Sequence, residues 1–203
     1  MKKLLVATKN PGKVIEFKNI LSGLSLEVVS LEDVGIKEDV EETGKTYFEN
    51  SLIKALFYVK KSNLPVISDD GGLEIEFLNG APGIKSRRWL GYEATDEELI
   101  KHLKKVAKII PKDQRTAYFR TVVTFALPNG RYFQSEGKVK GTISHKPLLK
   151  ILNGYPFRSF FYLPKIKKFY HESELSKKEE RIYNHRYKAV KKLLPYIKQY
   201  ARS

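Results

Sequence analysis

The sequence predicts an α/β fold with some parallel strand pairing, on three observations. Strand-like apolar runs alternate with helical patterns from Lys2 to Leu73, the order that builds parallel β–α–β units. Proline and capping residues stand where helices should begin. A hairpin signal, Pro128-Asn129-Gly130, lies between two long apolar runs and adds an antiparallel pair.

"KKLLVAT" has the apolar content of a buried strand. Pro11 then opens a helix, with Val14, Phe17, Leu21 and Leu24 recurring at helical spacing. "LEVVSL" reads as a second strand. "EDVGIKEDVEETGK", poor in apolar residues and rich in carboxylates, reads as a loop. From Thr46, the residues Phe48, Leu52, Ala55, Leu56 and Val59 mark one face of a helix. "LPVISDDGGL" is a short apolar strand broken by two aspartates and two glycines. "NGAPGIKS" is turn chemistry, and Thr95 with Glu98 forms a capping box ahead of an amphipathic helix. "FRSFFYLP" is aromatic. The tail from Lys177 to Tyr200 reads as helical, with Val190, Leu193, Leu194 and Ile197 facing the core.

A chain of 203 residues suits a single domain, here with two sub-lobes, and can bury a real core. No apolar run approaches the roughly 18 residues of a membrane helix. The apolar stretch in "MKKLLVAT" is too short for a signal peptide, so the cytoplasm is the expected compartment. The absence of cysteine excludes disulfides, thiolate metal sites and cysteine nucleophiles. The net charge of +15 is uneven: from residue 138 onward, 17 Lys and Arg face four Glu and no Asp. Such a surface suits nucleic acid or polyphosphate, and equally a solvated face.

Three stretches carry candidate chemistry. "VATKNPGK" runs from a strand into a turn that ends on Lys13. Backbone N–H groups at such a turn, with a lysine, suit phosphate, although the spacing of a Walker loop is absent. A plain strand–turn–helix corner fits the same residues. Asp69-Asp70, followed by Gly71-Gly72, ends an apolar strand where an open α/β sheet usually binds its ligand. The alternative is a turn capped by Asp69. Glu41-Glu42-Thr43-Gly44 offers hard oxygen ligands on a loop, of the kind Mg²⁺ takes together with phosphate oxygens, or else a solvated acidic loop.

Taken together, "ATKNPGK", "EETGKTYFENSLIKA", "SDDGGLEIEFLNGAPGIKSRRWLG" and "NHRYKAVKKLL" resemble the inosine triphosphate pyrophosphatase, or Ham1-like, family in order and separation. The likeness runs from residue 3 to 197. It implies an elongated mixed sheet with flanking helices, two lobes around a central active-site cleft, and a homodimer. It further implies Mg²⁺-dependent hydrolysis of unusual purine nucleoside triphosphates (ITP, dITP, XTP) to monophosphate and pyrophosphate. On this resemblance Thr8, Lys9, Asn10, Pro11, Gly12 and Lys13 form the triphosphate turn, and Lys54 is a second phosphate lysine. Glu41, Glu42 and Asp70 cover the metal positions, with Asp70 also the general base. Arg88 matches a family arginine, and His185-Arg186 match the end of the nucleobase pocket. A basic nucleotide- or nucleic-acid-binding protein that has lost turnover is the alternative on the same fold.

The sequence departs from the family's pattern chiefly at the nucleobase end. Gly71 stands where the family has serine in "DDSGL". Tyr155-Pro156-Phe157-Arg158-Ser159 replaces most of "GFGYDP", so that Arg158 takes the place of an acid. Glu180 takes the place of the lysine in "ELxxxEK", and Asn184 that of the serine in "SHR". Arg158 and Glu180 together exchange the family's charges, which allows a pair of reversed polarity or a pocket that no longer selects. The base preference is therefore expected to be altered, while the phosphate end is intact.

Overall fold

The computed structural model describes residues 1–202. It has seven strands, five α-helices and three short 3-10 turns among those residues. In chain order these are β1 (Lys2–Val6), α1 (Pro11–Leu21), β2 (Leu26–Ser30), α2 (Tyr47–Ser62) and β3 (Val66–Ile75). They continue as α3 (Asp96–Ile109), β4 (Thr116–Ala126), β5 (Tyr132–Ile143), β6 (Phe161–Leu163), β7 (Lys168–Phe169), α4 (Lys177–Tyr183) and α5 (His185–Arg202). The 3-10 turns are Glu76–Leu78, Gly83–Arg88 and Arg158–Phe160. One mixed sheet runs in the order β2-β1-β3-β4-β5-β6-β7. The pairs β1–β2 and β1–β3 are parallel, whereas β5–β6 and β6–β7 are antiparallel. The α/β expectation is met.

Helix starts follow the sequence closely. Asn10 caps α1 by accepting the Lys13 N–H, with Pro11 in the first turn. Thr46 and Glu49 close a capping box on α2, and Thr95 and Glu98 another on α3. The β4–β5 hairpin turns at Pro128-Asn129-Gly130, where Gly130 has φ +84°.

Four expectations are corrected. β3 is unbroken: it runs straight through Asp69, Asp70, Gly71 and Gly72. Glycine is needed in mid-strand at Gly72, because a Cβ there would lie 2.2 Å from Ser86 Oγ and 2.3 Å from the Gly83 carbonyl oxygen. α2 buries Tyr47, Asn50, Ser51, Ala55 and Tyr58, leaving Phe48 and Leu56 largely exposed. Buried polar side chains that find partners set this face, and apolar periodicity does not register them. The tail is two helices separated at Asn184, and Leu24 lies beyond the end of α1.

The described residues divide into two compact units: residues 1–70, 121–137 and 186–202 form the first, and residues 71–120 and 138–185 the second. In the first unit, Leu4, Val6, Phe17, Ile67, Val123, Phe125 and the α5 residues Val190, Leu193 and Ile197 make one apolar cluster. A second cluster gathers Leu5, Val29, Ala55, Tyr58 and Val66. The second unit has its own core, in which Leu73, Ile75, Leu99, Leu103, Phe119, Phe157, Phe160, Phe161 and Tyr170 meet.

Candidate active site

Within the first unit, α1, α2, α5 and the loop before α2 bring charged side chains to Asp69 and Asp70 of β3. Successive strand residues point to opposite faces, so the two aspartates meet different partners. Asp69 is fully buried. Its Oδ2 accepts from Arg186 Nε at 3.1 Å and Nη2 at 2.8 Å, from Thr121 Oγ1 at 3.3 Å, and lies 3.1 Å from Lys13 Nζ. Its Oδ1 is buried and accepts no hydrogen bond. Burial works to raise the Asp69 pKa, but Arg186, Lys13 and Lys54 outweigh it and hold the carboxyl far below the usual range. Arg186 also donates to Glu16 Oε2 at 2.5 Å.

Asp70 is the opposite case. Its Oδ2 accepts from Asn50 Nδ2 at 3.0 Å, and its carbonyl from Thr121 Oγ1 at 2.9 Å. Burial pushes its pKa up to about 6; Glu42 adds to the rise, and Lys54, Lys13 and the Asn50 bond oppose it. Lys54 joins the group from α2, donating to Glu42 Oε1 and, at 3.1 Å, to the Asp69 carbonyl. Burial alone would lower the Lys54 pKa, yet Glu42, Asp70 and Asp69 raise it, so it is a stable cation.

The structure thus gathers Lys13, Glu42, Lys54, Asp70 and Arg186 in one unit. Around the turn, Thr8 Oγ1 accepts the Asn10 N–H at 3.2 Å, Pro11 is exposed and Gly12 half-buried. Lys9 pairs with Asp39 at 3.1 Å on the surface, and Glu41 is exposed, so Glu42 is the acid that Lys54 contacts. Arg186, expected at the nucleobase end, has its guanidinium on Asp69 and Glu16.

The remaining candidates lie in the second unit. Gly71 is half-buried in β3, and Arg88 is exposed at the end of its 3-10 turn. Arg158 is buried, with its guanidinium carbon 3.9 Å from the Tyr155 ring centre and 4.6 Å from that of Tyr170. Phe157 meets Trp89 edge to face at 5.9 Å. Glu180 is half-buried in α4. His185 is buried, stacks on Phe119 at 5.3 Å, and has Nδ1 3.1 Å from the Tyr170 hydroxyl.

Sequence reasoning missed Asn50, Thr121 and Glu16, and singled out Asp69 only as half of the Asp69-Asp70 pair. Only the Asp-Asp dipeptide hinted at Asp69; the others carry no local signal, because long-range contacts make them matter.

A buried carboxylate with a raised pKa, set among lysines on a strand of a mixed α/β sheet, marks a candidate site for acid–base chemistry on an anionic ligand. The chain belongs to the Ham1 family, whose sequence model matches residues 4–196. A protein of Thermoanaerobacter pseudethanolicus named dITP/XTP pyrophosphatase is 42% identical over 195 residues, 96% of each chain. The Coxiella burnetii HAM1 protein superposes with a TM-score of 0.82 at 30% identity, covering 98% of this chain and all of that one. The Staphylococcus aureus Ham1 protein gives 0.79 at 33% identity, covering 98% and 99%.

Proposed function

We propose that this chain hydrolyses ITP, dITP and XTP to the monophosphate and pyrophosphate, with Asp70 as general base and Mg²⁺ as cofactor. One observation carries the reading: Asp70 is a buried carboxylate with a pKa of about 6, flanked by Lys13 and Lys54. A base poised near the working pH takes a proton from water most effectively. Relatives named dITP/XTP pyrophosphatase support the substrate class.

In this mechanism Asp70 orients a water molecule and accepts its proton as the water oxygen bonds to the α-phosphorus. The bond from that phosphorus to the bridging oxygen breaks, and pyrophosphate departs with the electron pair. Lys13 and Lys54 offset the charge of the polyphosphate. Asn50 holds Asp70 in place, and Arg186 keeps the neighbouring Asp69 ionised.

The donor set fits Mg²⁺, which takes one or two carboxylates together with phosphate oxygens. Glu42 and Asp70 are close enough for Glu42 to raise the Asp70 pKa, a repulsion that a dication relieves. Among the described residues no group of three or more His, Asp or Glu side chains gathers as a metal site, so phosphate oxygens and water would complete the shell. Mg²⁺ bound there would polarise the phosphate oxygens and lower the Asp70 pKa.

The same reading carries a homodimer, checked by light scattering, and a place in the cytoplasm. No helix among the described residues is long and apolar enough to cross a membrane. The decisive experiment measures pyrophosphate release from ITP, XTP, dITP and ATP with Mg²⁺. Release that persists in excess chelator, or in Asp70→Asn, would overturn the assignment.

A further inference from the structure

Asn50 lies in α2, within the first unit, and is 2% exposed. Its side-chain amide faces two ways. The oxygen accepts the Gly44 N–H at 2.8 Å, and the nitrogen donates to Asp70 Oδ2 at 3.0 Å. A backbone N–H only donates and a carboxylate only accepts, so the reverse orientation would set like against like at both ends. One planar group thus joins the loop that carries Glu42 to the strand that carries Asp70.

Gly44 is shaped for this contact. A Cβ there would lie 2.6 Å from Asn50 Oδ1 and 2.6 Å from Glu49 Cβ. Its φ lies outside the left-handed region, so the close approach alone demands glycine. The next two amides are held as well: the N–H groups of Lys45 and Thr46 donate to Glu49 Oε2 at 2.6 and 3.0 Å. Three consecutive backbone N–H groups just beyond Glu42 are therefore tied to the start of α2. One turn further along the same helix, Lys54 donates to the Glu42 carboxylate itself.

We infer that Asn50 is a positioning residue that keeps Glu42 and Asp70 in register to share one dication. This rests on the functional reading above. Two carboxylates repel each other, and a loop free to withdraw would carry Glu42 away from Asp70 until a metal arrived. The Gly44–Asn50–Asp70 bonds oppose that withdrawal, so less ordering is left for the moment of binding. All four residues belong to the first unit.

The test measures Mn²⁺ affinity by electron paramagnetic resonance with pyrophosphate present, a readout that needs no turnover. Mn²⁺ takes the same oxygen ligands as Mg²⁺. Gly44→Ala removes the loop bond, and Asn50→Ala removes both bonds. Each should weaken Mn²⁺ binding about tenfold, as loss of a hydrogen bond that orients a metal ligand does. In a Glu42→Gln background the Gly44→Ala loss should fall below about twofold, because the loop then brings no carboxylate to position. The Asn50→Ala loss should shrink there but persist, since Asp70 still lacks its donor. Thermal unfolding shows whether each variant is folded; if Gly44→Ala is not, the shrinkage seen with Asn50→Ala decides. Undiminished Mn²⁺ affinity in a folded variant, or a loss of equal size with and without Glu42→Gln, overturns this inference alone when the natural protein releases pyrophosphate from ITP. A natural protein that neither binds Mn²⁺ nor hydrolyses ITP overturns the functional reading and this inference with it.

Discussion

Arg186 Nε and Nη2 both donate to Asp69 Oδ2, at 3.1 and 2.8 Å, in a pair whose side chains are 3% and 0% exposed. Arg186 is the second residue of α5, and Asp69 lies in β3, so the pair links residues 117 apart in sequence. Removing one partner of such a pair leaves an uncompensated buried charge, at a cost of about 3–5 kcal/mol. Arg186→Ala should be destabilised by that amount in urea unfolding, and Arg186→Lys by less. A loss under about 1 kcal/mol, the range of exposed pairs, would show that Asp69 does not depend on Arg186.

Asp69 also sets a pH dependence. Its folded pKa is depressed, so its contribution to stability is present above the unfolded pKa near 4 and is lost as pH falls below it. The natural protein should therefore be more stable than Asp69→Asn at pH 7, and the gap should shrink steadily below pH 4. A gap that is constant from pH 7 to pH 3 would contradict this.

Asp70 has the opposite sign. Its folded pKa, about 6, exceeds the unfolded value, so the folded state holds the proton more tightly. That contribution is full below pH 4 and lost as pH rises through 6, on the order of 3 kcal/mol for a rise of about two units. Asp70→Asn should match the natural protein in Tm near pH 4 and exceed it at pH 7, while turnover falls about 100-fold or more. A variant less stable than the natural protein at pH 7 would refute the balance of forces assigned to Asp70.

Glu42 is expected to act on both proton and metal. Glu42→Gln removes one cause of the raised Asp70 pKa and one oxygen donor. The acid limb of the kcat/KM profile should move to lower pH, and the Mg²⁺ concentration for half-maximal rate should rise. Titrating Mg²⁺ at several pH values reads both. No change in the metal requirement would remove Glu42 from the site.

Lys13 and Lys54 should separate binding of phosphate from binding of the base. Lys13→Ala and Lys54→Ala each delete a charge meant for polyphosphate, so calorimetry should show triphosphate binding weakened much more than nucleoside binding. Lys13→Ala leaves Asp69 with Arg186, whereas Lys54→Ala deprives Glu42 of its cation, so the second should perturb stability more. Equal losses for nucleoside and triphosphate would place both lysines in folding.

Local chemistry made much of this protein readable in its sequence. Pro11 and the Thr95–Glu98 capping box mark helix starts because first-turn geometry and capping are decided within four residues, and Pro128-Asn129-Gly130 marks its hairpin because backbone geometry demands it. Lys13, Lys54, Glu42 and Asp70 are candidates because their blocks keep the family's order. Tertiary structure alone decided the rest. Asp69 and Asp70, adjacent and chemically identical, acquire opposite pKa shifts: at Asp69 the cations Arg186 and Lys13 outweigh burial, whereas at Asp70 burial, aided by Glu42, outweighs Lys54 and the Asn50 bond. β3 passes unbroken through both aspartates and two glycines because distant partners bond Asp69 Oδ2 and Asp70 Oδ2 and Ser86 packs against Gly72. α2 turns Asn50 and Ser51 inward, against the apolar pattern, because Asp70 and Thr124 bond them there. The physical reason is common to all three: a buried polar group is stable only with its partner, and partners far along the chain leave no trace in local periodicity.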